Sequence, residues 1–276
     1  MSSALPECVE PLTRGLACLG DIPDWPQRDA YELDIQTTLG IAHMAWKGYA
    51  SPECGQAYKR ANALIGTVND TLRALPVVWG YWSYFLVAGD HHCTMEAADH
   101  ALSVAEASQE PDFLVQAYAI NADTQFWIGN PRKSVEFMSK LRSIYHEERH
   151  GPQVWLCNHD ALNLALMYAA HWLWVLGYPD QAVEAEKECY EQALRLQHPY
   201  QMAFGNCWAS SCYHYRGEPD PLMARLETGV AVAEQFQLPM WIAATAMFRG
   251  WWRAKRGEIR AGIEQFSRGF AHWRDI

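Results

Sequence analysis

Residues 169–197 read AAHWLWVLGYPDQAVEAEKECYEQALRLQ. The first eight residues close an apolar run ending in aromatic side chains, and Gly177 then supplies the left-handed conformation that ends a helix. Tyr178-Pro179-Asp180 is a short polar turn with proline where a helix begins. Beyond it, apolar residues recur at i, i+3, i+4 through QAVEAEKECYEQALRLQ, the mark of an amphipathic helix. The stretch therefore spells one helical hairpin: a helix A, a glycine, a turn and a helix B.

The same grammar recurs along the chain. Helix A ends appear as WSYFLVAG, NADTQFWIG, ASSCYHYRG and GWWRAKRG, and the six closing glycines are Gly48, Gly89, Gly129, Gly177, Gly217 and Gly257. Their spacings are 41, 40, 48, 40 and 40 residues, so one interval carries about eight extra residues. Seven residues before the last five glycines stand Trp82, Ala122, Ala170, Ser210 and Gly250, and five after them Thr94, Ser134, Ala182, Leu222 and Gly262. Small residues dominate both places, as close crossing of paired helices requires. The reading is an all-α, right-handed tetratricopeptide-like solenoid over residues 1–276, with about six hairpins of about 40 residues each. The long interval is expected to be an extended connection around His146 to Gln153, broken at Gly151-Pro152. A helix near Pro6 to Leu19 is expected to be an orphan B helix, either a cap or a sign that the chain is part of a longer protein.

Composition bounds the function. Half of the 276 residues are hydrophobic and a fifth are charged, which excludes a disordered chain. A formal charge of −10 argues against a general nucleic-acid binder. The N-terminus lacks the pattern of a secretory signal, and no run of about 18 apolar residues predicts a membrane span. The eight cysteines form no CxxC pair and read as reduced thiols of a cytoplasmic protein.

Several segments resemble the C-terminal tetratricopeptide region of bacterial adenylate/guanylate cyclases, predicted ATPases and kinase–cyclase fusion proteins. They are TTLGIAHMAWKGYASPE (37–53), VVWGYWSYFLVAGD (77–90), HWLWVLGYPDQAV (171–183) and LPMWIAATAMFRGWWRAKRGEIRAGI (238–263), together with Glu148-Arg149-His150 and His159-Asp160. The resemblance implies an interaction or sensing region linked to signalling. Neither GxxxxGK[ST] nor a dinucleotide fingerprint occurs, so no catalytic module and no cofactor is expected.

In such superhelices the A helices line the concave face. Ten residues before the last five glycines come Trp79, Ala119, Met167, Cys207 and Met247; six before, Ser83, Asp123, His171, Ser211 and Trp251; three before, Leu86, Phe126, Trp174, His214 and Ala254. Helical spacing puts these columns on one face, which predicts an apolar, aromatic groove with a few polar groups. The competing reading is that they form core between repeats. His146-Glu147-Glu148-Arg149-His150 fits H-E-x-x-H, in which His146 and His150 would hold zinc, but its charged centre and Gly151-Pro152 favour a solvated turn. His91-His92-Cys93, Cys157-Asn158-His159 and Cys207/Cys212/His214 are weaker metal patterns, better read as buried thiols and surface histidines. Ser210-Ser211 with His171 and Asp123 supplies triad residue types without a nucleophile elbow. Arg249, Arg253 and Arg256, with Lys255, Arg260, Trp251 and Trp252, form a basic patch opposed in its own window only by Glu258.

Three functions follow from these features. The preferred one is a non-catalytic scaffold that binds a peptide segment or partner domain in its groove. The alternatives are a groove that senses a small effector for a signalling module, and a zinc hydrolase at 146–150. The partner's identity and the oligomeric state are not legible in the sequence.

Overall fold

The computed structural model describes residues 4–22, 25, 27–68 and 70–274, and every regular element among them is helical. Helix α1 (Ala4–Asp21) packs on α2 (Arg28–Lys47), which pairs with α3 (Pro52–Ile65). Two further hairpins follow: α4 (Thr71–Ala88) with α5 (His91–Ser108), and α6 (Pro111–Trp127) with α7 (Pro131–Ile144). After three short turns, α8 (Glu147–His150), a 3-10 turn (Gly151–Gln153) and α9 (Val154–Cys157), the stack resumes with α10 (Ala161–Val175) and α11 (Pro179–Leu196). The last two hairpins are α12 (Pro199–Trp208) and α13 (Ser211–Arg216) against α14 (Pro219–Gln235), and α15 (Pro239–Lys255) against α16 (Ile259–Arg274). This is the expected all-α helical-hairpin solenoid.

The local chemistry of the repeat is uniform. The six glycines of the sequence repeat are the described glycines with positive φ, between 72° and 95°, each just past an A helix. Proline opens α3, α6, α7, α11, α12, α14 and α15, where its missing N–H leaves no bond unmade. Asp90 and Asp160 cap α5 and α10 by accepting the backbone N–H of Cys93 and Asn163. The return turn, from B helix to next A helix, has its own signature. Gln109, Gln197 and Gln237 adopt φ of 52–55°, each two residues before the proline that opens the next helix. Small residues allow the close crossing most clearly at the last hairpin. A Cβ on Gly250 would lie 2.5 Å from the backbone nitrogen of Phe266 and 2.7 Å from the carbonyl oxygen of Gly262.

Two expectations are corrected. The segment 146–153 is not extended: it coils into short helical turns, and α9 reaches across to pack on α4. Gly151-Pro152 does end α8, which stops at His150, and opens the 3-10 turn that follows. The fifth A helix is also not one rod, because α12 and α13 are separated at Ala209-Ser210. There the N–H of Cys212 turns to the carbonyl of Ala209, and the freed carbonyl of Trp208 faces the Nε2 of His171 at 3.1 Å.

Candidate binding cavity

The stack curls until its first hairpin meets its last ones. Tyr49, in the turn between α2 and α3, meets the hydroxyl of Tyr200 at the start of α12. On the same seam, Ala45 and Trp46 of α2 share a cleft with Gln237, Pro239, Ile242 and His272. Between them the concave face forms a half-open cavity of about 390 Å³.

Aromatic rings make most of its wall. Trp79, Trp82 and Ser83 of α4 line one side, with Trp127 of α6 and Tyr168 of α10 beside them. Phe204 and Trp208 of α12 and Trp241 of α15 line the other side, and Trp273 of α16 completes it. The rings brace one another: Phe204 stacks on Trp241 at 4.4 Å, Trp241 meets Tyr200 and Trp273 edge-on, and Trp79 meets Tyr49 edge-on. Trp82 donates its indole N–H to Thr124 at 2.8 Å, tying α4 to α6. His91, at the mouth, is the titratable side chain of the lining apart from the tyrosines Tyr49 and Tyr168. A wall of this chemistry suits apolar or aromatic groups.

The predicted groove columns are placed differently from expectation. Trp79, Ser83 and Leu86 do line the cavity. Asp123, Met167, His171, Cys207 and Ser211 are buried between neighbouring A helices and do not line it. Phe126, Trp174, His214 and Trp251 continue that inter-repeat layer, with Phe126 beside His171, Trp174 beside Tyr215 and His214 edge-on to Trp251 at 4.2 Å. His171 is a structural residue, since its Nδ1 accepts from the Tyr215 hydroxyl and its Nε2–H donates to the freed Trp208 carbonyl. The columns that reach the cavity run nine and thirteen residues before the glycine, as Tyr168 and Trp208, Leu164 and Phe204. On α4 the expected columns face the cavity; on α10 and α12 Tyr168 and Trp208 stand one residue on from Met167 and Cys207, about 100° around the helix.

The H-E-x-x-H segment and the basic patch are engaged in local pairs. His150 accepts the backbone N–H of His146 at its Nδ1, Arg149 holds Asp112 through two bonds, and Glu147 pairs with Arg195. The H-E-x-x-H segment thus ties α8 to α6 and α11, and the remaining ring nitrogen of His150, Nε2, is buried 3.6 Å from Asp112 Oδ1. From Asp112 a polar chain runs inward through Gln153 and Gln116 to His159, whose ring stacks on Trp79 at 4.3 Å. In the basic patch, Arg249 pairs with Glu227 of α14, Arg253 with Glu258, and Arg256 lies over Trp252 at 4.7 Å. Glu227 lies outside the sequence window in which the patch was counted.

No protein-family model matches the chain, and no curated protein sequence matches it either. A solved structure does: that of a Rap protein complexed with competence and sporulation factor, at a TM-score of 0.66 and 13% identity. The match covers 88% of this chain and 65% of that one, so the chain spans less than two thirds of the Rap protein's length. At this identity the likeness establishes the helical-repeat fold.

Proposed function

We propose that this protein is a non-catalytic binding module that anchors an apolar or aromatic part of a peptide segment in the cavity beside Tyr49, Trp79 and Trp241. The carrying observation is the cavity itself. At about 390 Å³ it lies within the roughly 300–1,000 Å³ of ligand sites, and its wall is apolar and ring-lined. The polar cluster of Asp123, His171 and His214, which would have marked a tight effector pocket, is packed between helices instead. The Rap protein's structure is a complex with competence and sporulation factor, which supports a binding role for a fold of this class. The resemblance to regions beside bacterial cyclases and ATPases supports a role in signalling. The eight free cysteines, together with the lack of any described helix long and apolar enough to cross a membrane, suit a cytoplasmic location.

A small apolar effector is the second reading, favoured by the closure at Tyr49 and Tyr200. Panning a random peptide library against the folded protein, with Trp208→Ala as counter-selection, separates the readings. Enriched sequences that carry aromatic or aliphatic anchors and lose binding in the variant support the peptide reading. Peptides that bind both proteins equally remove the cavity from it, and a small apolar mass retained in native mass spectrometry turns the reading to an effector.

A further inference from the structure

At the first turn of α5 three side chains with metal-binding atoms converge. His92 Nδ1 lies 3.4 Å from Glu96 Oε2, and these atoms and the Cys93 Sγ all lie within 4.8 Å of one another. In a tetrahedral site with bonds of about 2.0–2.3 Å, neighbouring donors stand about 3.3–3.7 Å apart. The His92–Glu96 edge already has that length, and the thiol needs to close by roughly an ångström, within the reach of its χ1 torsion. His92 and Glu96 face solvent and Cys93 is half-buried, so a cation can reach all three.

Two carboxylates stand beside the thiol. Asp90, which caps α5 through the Cys93 N–H, also takes a hydrogen bond from the Cys93 thiol, and Glu96 adds a second carboxylate beside it. Cys93 and Glu96 also line, with His100 of the same helix, a cleft of about 180 Å³ against Tyr81. That cleft leaves room for a fourth ligand. The mixed sulfur, nitrogen and oxygen donor set suits a borderline-soft ion and is wrong for calcium or magnesium, which take oxygen ligands.

We propose that His92, Cys93 and Glu96 form a three-ligand site for a zinc-type divalent cation, with water in the fourth position. On binding, the sulfur–metal bond replaces the S–H bond, and the proton passes to bulk water. The site stands next to His91 at the cavity mouth and is independent of what the cavity holds.

Cobalt(II) titration of the full chain tests the assignment, in a background with the exposed Cys8 and Cys18 changed to serine. The expected result is saturation at one ion per chain, with a near-ultraviolet thiolate-to-cobalt band and the visible bands of a tetrahedral ion, both displaced by zinc. Cys93→Ala should abolish the thiolate band, while His92→Ala and Glu96→Gln each weaken binding about tenfold or more. These side chains lie on the outer surface of α5, so circular dichroism should show all three variants folded. No saturable binding at equal concentrations, or a thiolate band that survives Cys93→Ala, overturns the proposal.

Discussion

The hydroxyls of Tyr49 and Tyr200, 151 residues apart in sequence, meet across the seam that closes the solenoid. Both rings are buried and both phenols have raised pKa values, chiefly because burial disfavours the phenolate. Each hydroxyl is the other's route to satisfaction. Tyr49→Phe or Tyr200→Phe alone should therefore cost about 1–2 kcal/mol, and the double variant little more than either single one. Chemical denaturation of the four proteins in a double-mutant cycle reads the coupling; strict additivity would show that the pair does not hold the seam.

Gly250→Ala should destabilise by about 1–3 kcal/mol, because a methyl group there meets the backbone of α16 and forces two helices apart. Alanine in an unencumbered helix interior would instead stabilise by roughly 0.5–1 kcal/mol, so the sign of the change measures the crossing. Thermal melts of the variant beside wild type decide it.

Acid should unfold the protein through its buried histidines. Burial pushes His159 down to about 3, and His171 and His198 to about 4, from an ordinary value near 6.5. Their folded pKa values are depressed, so the unfolded chain takes up protons first, and stability is lost as pH falls below about 6.5. Asp160 opposes this, because burial raises it to about 6 and stability from that group is lost as pH rises from about 4 to 6. Asp123, whose pKa burial also raises, opposes it in the same sense, and the three histidines leave a net cost near pH 4 on the order of a few kcal/mol, part of a domain's ~5–15 kcal/mol. Urea midpoints measured between pH 4 and 8 should fall on the acid side, and less steeply in His171→Gln.

Asp123 should be a liability at high pH. Its carboxyl is buried with neither oxygen hydrogen-bonded, and desolvation holds its pKa well above the usual range. A raised carboxyl pKa means stability present in acid and lost as pH rises toward the folded value. Asp123→Leu, of similar size, should stabilise by about 1–3 kcal/mol at neutral pH or above. A variant less stable than wild type at pH 8 would show that the carboxyl has a partner.

Much of the fold was legible because its determinants are local. Gly177 and its five counterparts stand 40, 41 or 48 residues apart and all adopt positive φ, as the position past an A helix requires. The Q-x-P turn at Gln109, Gln197 and Gln237 was equally local, and an alignment on Pro111, Pro199 and Pro239 would have found it. The coiling of 146–157 was harder to see, because α9 is held by α4, far away in sequence.

The cavity was legible only in part. The repeat fixed which helices face inward, and a 3.6-residue period fixed that side chains group in columns. It could not fix which column faces the axis, because helices of this kind carry apolar residues almost all round: α10 is buried from Ala161 to Trp172. The choice between Met167 and Tyr168, or between Cys207 and Trp208, depends on how each hairpin is rotated against its neighbour. Likewise Glu227 neutralises Arg249, and Tyr200 meets Tyr49, only once the superhelix has turned. The sequence by itself determined the hairpins and their turns, since glycine, proline and apolar spacing act over a few residues. Only the tertiary structure decided the phase of the helices and the closure of the ring, since those follow from the summed packing angles of six hairpins.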